Sequence, residues 1–285
     1  MESVERFVVE QLAAWEVPGC AVAAVRGGRA ELVGGWGLRD REAGLPVTQD
    51  TLFAIGSTTK AFTATTVGAL VDEGLLEWDR PLRDYVPGVR LHDPFVSDRL
   101  TVVDLLSHRS GLPRHDLTWV GQPGRSRAEI VRRLRFLPLS RDLRQEFQYC
   151  NLGYLLAGHV VEALSGVPWE DFVRGTLLGP LGMPRSNLSV DEMLADADHA
   201  AAYTRRDGVI VPVPQRPLPA MAPAGAINSS AADMARWLLA QLAEGQLDGV
   251  TVMSASTAKR QLTPHMLMPD SREMPGLTTY AYSLG

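Results

Sequence analysis

The chain has 285 residues, 45% hydrophobic and 21% charged, with a formal net charge of −5, enough apolar material for one large domain or two lobes. The acidic balance lacks the Lys/Arg surplus of a nucleic-acid protein, and no apolar run approaches membrane-spanning length. Two cysteines, Cys20 and Cys150, make no disulfide framework.

Residues 2–15 predict an amphipathic helix that carries acids, unlike a signal peptide with its basic start and apolar core. If Met1 is the natural start, the expectation is a soluble, cytoplasmic protein. Cys20–Val25 and Ala30–Trp36 read as strands joined at Gly27-Gly28. A helix is expected from Ser57 to about Asp72, stopped at Gly74. Small and apolar residues wrap most of its circumference, the pattern of a buried helix. From Trp78 to about Val211 the pattern is mostly helical, with clear segments at Val102–Ser107, Arg127–Phe136, Leu152–Leu164 (stopped by Gly166) and Trp169–Thr176. The arginine-dense stretch from Arg125 to Arg144 reads as a solvated helix face, with binding of an acidic group as the alternative. Prolines make residues 211–223 an extended loop, because proline suits neither a helix interior nor a central strand. Ser230–Leu242 and residues 254–263 predict further helices, and residues 278–285 a strand. A hairpin, a long helical stretch and a return to strand suggest an α/β (α+β) lobe of residues 1–77 and 224–285, with a mostly helical lobe, 78–223, inserted into it.

The chain uses two lysines, Lys60 and Lys259, against 26 arginines. Arginine is always charged, whereas lysine can lose its proton when desolvated. Lys60 lies three residues after Ser57, so on a helix the amine reaches the hydroxyl, and a serine beside a neutral amine is an activated nucleophile. The alternative is a lysine that snorkels to water from a helix end. Ser256 and Lys259 share the spacing, but Lys259 precedes Arg260 and Gln261 on a short polar helix and reads as a surface residue. A second cluster is Tyr149-Cys150-Asn151, just before a strongly apolar helix. Asn151 suits a helix N-cap and Tyr149 a buried phenol with a local partner; beside a lysine, that phenol is also a candidate general acid or base. The six histidines show no metal-ligand spacing, with no H-E-x-x-H motif and with His108 and His115 seven apart in a loop-rich stretch.

S-x-x-K followed about ninety residues later by Y-x-N resembles the serine β-lactamase and penicillin-binding-protein superfamily in its class C branch. That branch includes class C β-lactamases, DD-peptidases, D-aminopeptidases and related esterases. Three further segments are similar to it in order: Leu105-Leu-Ser-His-Arg-Ser-Gly-Leu-Pro113, Pro180-Leu-Gly-Met183, and Ala224-Gly-Ala-Ile-Asn-Ser-Ser-Ala-Ala-Asp-Met-Ala-Arg-Trp237. The resemblance implies a β-lactamase/transpeptidase-like fold, an antiparallel sheet flanked by helices. It implies that Ser57 attacks a carbonyl carbon, that Lys60 and Tyr149 move its proton, and that Asn151 binds Lys60 or the substrate amide. The Ser57 backbone N–H would form half of an oxyanion hole. No cofactor or metal is implied.

The family's third motif, K-T-G or H-x-G on an inner strand, is not found in these residues. Tyr282-Ser-Leu-Gly285 resembles the strand that precedes it. The expectation is therefore a sheet lacking C-terminal strands, completed by a second polypeptide or by the remaining C-terminal segment. Cys150 takes a place often held by Ser or Ala and is expected to be a small packed residue. Trp119, Gln122 and the proline-rich segment are expected near the cleft. The resulting expectation is a serine hydrolase acting through an acyl-enzyme on an amide or ester: a small peptide, one with a D-residue, or a β-lactam. A carboxylesterase of the same fold and a non-catalytic binding or regulatory relative are the alternatives.

Overall fold

The computed structural model describes residues 2–116, 124–268 and 280–284. The chain begins with helix α1 (Glu2–Ala14) and strands β1 (Gly19–Arg26), β2 (Arg29–Asp40), β3 (Leu45–Pro46) and β4 (Phe53–Ala54). Helices follow: α2 (Thr59–Asp72), α3 (Pro94–Arg99), α4 (Val102–Leu106), α5 (Arg127–Arg133), α6 (Asn151–Ser165), α7 (Trp169–Val173) and α8 (Val190–Ala195). Strands β5 (Ala202–Arg206) and β6 (Val209–Val213), helix α9 (Ala222–Gly225), strand β7 (Asn228–Ser229) and helix α10 (Ala231–Leu242) come next. Strands β8 (Gln246–Leu247) and β9 (Val250–Thr251), helix α11 (Ala255–Leu262), and strands β10 (Met266–Met268) and β11 (Tyr280–Tyr282) complete the order. This is the expected mixed α/β class, with antiparallel ladders. Among the described residues no helix is long and apolar enough to cross a membrane.

Two compact units form, one from residues 1–55, 178–218 and 226–250 and the other from residues 56–177, 219–225 and 251–285. These boundaries differ from the lobes expected from the sequence: α2 belongs with residues 78–177, because it packs on α6, α7, α9 and α11.

In the first unit β1 and β2 pair as anticipated, with Cys20 opposite Trp36 and the turn at Gly27-Gly28, and α10 packs on both strands. Ser230 caps α10 by accepting from the Asp233 amide at 3.2 Å. The expected loop at 211–223 is corrected here. Its first residues belong to a β5–β6 hairpin turning at Asp207 (φ 49°) and Gly208 (φ 80°), the left-handed pair of a tight hairpin turn. Pro212 is tolerated opposite Tyr203 because this sheet has two strands, leaving each an outer edge that needs no donor.

In the second unit α2 is buried on nearly every face, from Thr59 to Leu70. Phe62, Val67 and Leu70 share the core with Leu152, Leu155, Leu156 and Val160 of α6 and with Trp169 of α7. Residues 222–225 are helical rather than loop. This segment lies close against α6 because Gly158 has no side chain: a Cβ there would stand 2.2 Å from Pro223 Cγ. Residues 280–282 form the expected C-terminal strand, paired with Met266–Met268, while 278, 279 and 285 lie outside the described residues.

The arginine stretch divides in a way the sequence pattern did not show. Arg132, Arg133 and Arg135 are exposed. Arg127 is buried, paired with Glu162 and Glu170, and donates to the Ala220 carbonyl at 3.2 Å. Arg144 instead pairs with Asp104 of α4. Asp104 is wholly buried, and its oxygens accept from Arg109 Nε at 2.7 Å and Arg144 Nε at 2.9 Å while closing a capping box with Thr101. Burial pushes its carboxyl up, but the bonds from Arg144, the Thr101 amide and Arg109 together hold it below the ordinary range. Its stabilising contribution is therefore complete above the unfolded carboxyl value near 4 and lost as pH falls through the lower folded value. Asp104→Asn is expected to cost about 3 kcal/mol, because two guanidiniums lose their counter-charge. Urea unfolding at pH 7 and pH 3 measures this, and the variant's deficit should shrink at the lower pH.

Candidate active site

Gly56–Thr58 forms a single 3-10 turn that feeds α2. The turn begins with Gly56 at φ 53°, a left-handed conformation that glycine adopts without steric cost. Ser57 therefore stands one tight turn before the α-helix instead of opening it. Its side chain is exposed while Lys60, three residues on, is buried. Lys60 Nζ reaches back to Ser57 Oγ at 3.0 Å.

Tyr149 and Asn151 arrive from the start of α6. The Tyr149 hydroxyl lies 2.6 Å from Ser57 Oγ, and Lys60 Nζ sits 4.9 Å from the centre of its ring. Cys150 holds the N-cap position without a side-chain capping bond, and Asn151 is the first helical residue. The capping role read for Asn151 is thus replaced by another: its Oδ1 accepts from Lys60 Nζ at 2.9 Å. The four residues singled out in the sequence meet at one place.

A fifth partner is a backbone atom. Lys60 Nζ donates to the Ala224 carbonyl at 2.7 Å, and Thr63 Oγ1 donates to the Pro223 carbonyl at 2.7 Å. The end of the proline-rich segment therefore reaches the site, as expected. Trp119 and Gln122, also expected near it, lie outside the described residues.

Burial is the main cause that lowers the Lys60 amine to about 7. Negative charge at Cys150 or Asp116 opposes the shift, and the Arg114 guanidinium adds to it. The Cys150 thiol is itself pushed up to about 11 by burial and donates to the Pro113 carbonyl at 3.3 Å. It is a packed thiol at neutral pH and not a nucleophile.

Three neighbours were missed in the sequence. His108, at φ 56°, lies against Tyr149 with ring centres 4.6 Å apart, and its Nδ1 accepts from the Cys150 amide at 3.1 Å. Burial, then the Lys60 charge, pushes it down to about 3, so it stays neutral. Asp116 accepts from Asn151 Nδ2 at 3.1 Å, and Arg114 pairs with Asp116 at 2.8 Å. None of the three has a spacing signal, since each meets the site only through tertiary contact; inspection of the Leu105–Pro113 landmark and its flank would have drawn attention to them. The second S-x-x-K pair behaves as expected: Ser256 and Lys259 are exposed on α11. Among the described residues no group of His, Cys, Asp or Glu is arranged to hold a metal ion.

A buried amine with a pKa near neutrality lies 3.0 Å from an exposed hydroxyl that also has a phenol 2.6 Å away, an arrangement able to draw a proton from that hydroxyl. The family model described as Beta-lactamase matches residues 4–284. The chain is 35% identical over 255 residues to an unguisins hydrolase of Aspergillus campestris, an alignment that covers 82% of this chain and 46% of that protein. It is 34% identical over 252 residues to penicillin-binding protein 4 of Amycolatopsis lactamdurans, covering 85% of this chain and 64% of that one. It spans about half the length of the unguisins hydrolases it matches. An octameric penicillin-binding protein homologue from Pyrococcus abyssi superposes with a TM-score of 0.80 at 30% identity, covering 92% of this chain and 60% of that one. A class C beta-lactamase mutant superposes with a TM-score of 0.78 at 24% identity, over 92% of this chain and 70% of that one.

Proposed function

Because this chain belongs to the beta-lactamase family, we propose that it is a serine hydrolase that opens an amide or ester through an acyl-enzyme on Ser57. One observation carries the reading. Lys60 faces three oxygens, and two of them, the Asn151 amide oxygen and the Ala224 carbonyl, can only accept. The charged amine donates to all three. When it is neutral, its two N–H groups stay on those two acceptors and its lone pair is left facing Ser57 Oγ.

The neutral amine takes the Ser57 proton, directly or through the Tyr149 hydroxyl, as Ser57 Oγ bonds to the substrate carbonyl carbon. The Ser57 backbone N–H is the donor we assign to the developing oxyanion. Collapse of the tetrahedral intermediate breaks the bond to the leaving group, and Tyr149 delivers the proton that it needs. Deacylation repeats the sequence with water in place of the hydroxyl. The substrate class that fits is a small peptide, one with a D-residue included, or a strained lactam. The relatives named as a hydrolase and as a penicillin-binding protein support this class.

Exposure to a fluorophosphonate or to penicillin is expected to leave one covalent adduct, on Ser57, detected by mass spectrometry of the digested protein. Its rate of formation should rise with pH through a midpoint near 7, because the amine must be neutral to accept the proton. No adduct, or an adduct elsewhere, would defeat the reading. Faster turnover of a short-chain ester than of a D-alanyl amide would make the enzyme a carboxylesterase.

A further inference from the structure

We propose that Asp116 is a positioning residue for the Ser57–Lys60 pair and that Arg114 acts against it as a counter-charge. This rests on the reading of Ser57 as the nucleophile. The geometry is a closed ring of contacts. Arg114 Nε donates to Asp116 Oδ2 at 2.8 Å, Asn151 Nδ2 donates to Asp116 Oδ1 at 3.1 Å, and Asn151 Oδ1 accepts from Lys60 Nζ at 2.9 Å. Lys60 Nζ lies 4.9 Å from the Tyr149 ring centre, and the Arg114 guanidinium lies 5.3 Å from the same ring.

Which end of an asparagine amide faces which neighbour is decided by the neighbours. A carboxylate only accepts, so the end of Asn151 toward Asp116 must be the NH2 group. That leaves the oxygen for Lys60. If Asp116 could also donate, the amide could turn and present an N–H to the amine, and the two fixed acceptors that aim the Lys60 lone pair at Ser57 would become one. Asp116 therefore acts on the reacting atoms through Asn151, without touching them.

The same two residues set the field at the amine. Besides the Asn151 and Ala224 oxygens, the groups facing Lys60 are Ser57, the Tyr149 and Tyr154 rings, His108, Cys150, Asp116 and Arg114. His108, pushed down to about 3, and Cys150, pushed up to about 11, are both neutral around pH 7. In that window the opposed charges of Asp116 and Arg114 act on the lysine, one raising its affinity for a proton and one lowering it. Asp116 is a quarter exposed and Arg114 well exposed, so both effects are screened.

The two-lysine composition gives a direct test. In protein labelled with 15N-lysine, the side-chain resonances belong to Lys60 and Lys259, and Lys259→Arg assigns them. The wild-type Lys60 midpoint should lie near 7. Asp116→Asn should lower it by about 0.5–1 pH unit, and Arg114→Gln should raise it by a similar amount. The ascending limb of Ser57 labelling by a fluorophosphonate should move in the same two directions, and Asp116→Asn should also reduce its plateau about tenfold. If both variants keep the wild-type lysine midpoint, or both move it the same way, the assignment is overturned. A lower melting temperature for Asp116→Asn with an unmoved midpoint overturns it too, since that is the signature of a carboxylate that only ties down its loop. Absence of labelling in the wild type would count against the hydrolase reading instead, because the lysine midpoints are measured without turnover.

Discussion

Ser57→Ala is expected to reduce kcat on the order of 10⁶-fold, the loss found when a serine nucleophile is removed from a relay that works as a unit. The substitution deletes one oxygen that has two partners, Lys60 Nζ at 3.0 Å and the Tyr149 hydroxyl at 2.6 Å. It leaves the rest of the cluster in place, because Lys60 keeps the Asn151 and Ala224 oxygens. The side chain is exposed and not part of the core, so the fold should be unaffected. The prediction separates cleanly from one of general damage: turnover and the covalent adduct disappear while the melting curve is unchanged. Ser256→Ala, at the second S-x-x-K pair, is the matched control. Its hydroxyl lies 2.9 Å from that of Ser254 on an exposed helix end, and activity should stay at the wild-type level. An adduct that survives Ser57→Ala would transfer the nucleophile to another residue.

The second large effect is expected at Lys60. Lys60→Arg keeps a cation but cannot supply a base, since a guanidinium remains protonated throughout the working range. The rate should fall about 10²–10⁴-fold, the usual contribution of a positioned proton-transfer group. The ascending limb near pH 7 should vanish with it. Lys60→Met removes the base while nearly conserving volume, and here stability should move the other way. The wild-type amine has a folded value of about 7, below its ordinary 10.5. The unfolded chain therefore binds more protons between those limits, and wild-type stability rises with pH across that window. The penalty is full below about 7, where the amine is charged and buried. Lys60→Met should thus unfold at a higher temperature than wild type at pH 6, with the advantage shrinking toward pH 10. Loss of the bond to the Ala224 carbonyl works against this gain. Calorimetry at the two pH values measures the difference. A wild-type protein whose stability is flat over that range would mean that Lys60 is not desolvated.

Those two positions show what one-dimensional pattern can specify. Ser57 and Lys60 were legible because three residues are less than one helical turn, so spacing alone brings their side chains together. The scarcity of lysine marked the amine as chosen for a removable proton. Helices α2, α6 and α10 were legible for the same local reason, and Gly166 (φ 77°) ends α6 where the sequence placed its stop. The β5–β6 hairpin had a local signal, Asp207-Gly208, that the surrounding prolines obscured.

The composition and local order of this chain determined its class, its long helices and the Ser57–Lys60 pair proposed as its catalytic centre. Its tertiary structure decided everything that depends on residues far apart in sequence. Tyr149, 92 residues from Ser57, becomes a hydrogen-bond partner only because α2 and α6 pack together. Arg127 is buried because its carboxylates lie 35 and 43 residues away, and a run of arginines looks solvated until such partners fold onto it. The Ala224 carbonyl has no side chain to announce it, yet it pins the amine through a segment that Gly158 allows to approach. Desolvation belongs to the same category. An amine acquires a value near 7 from the water excluded around it, and exclusion is a property of packed volume, which is set by chain segments that sequence order keeps apart.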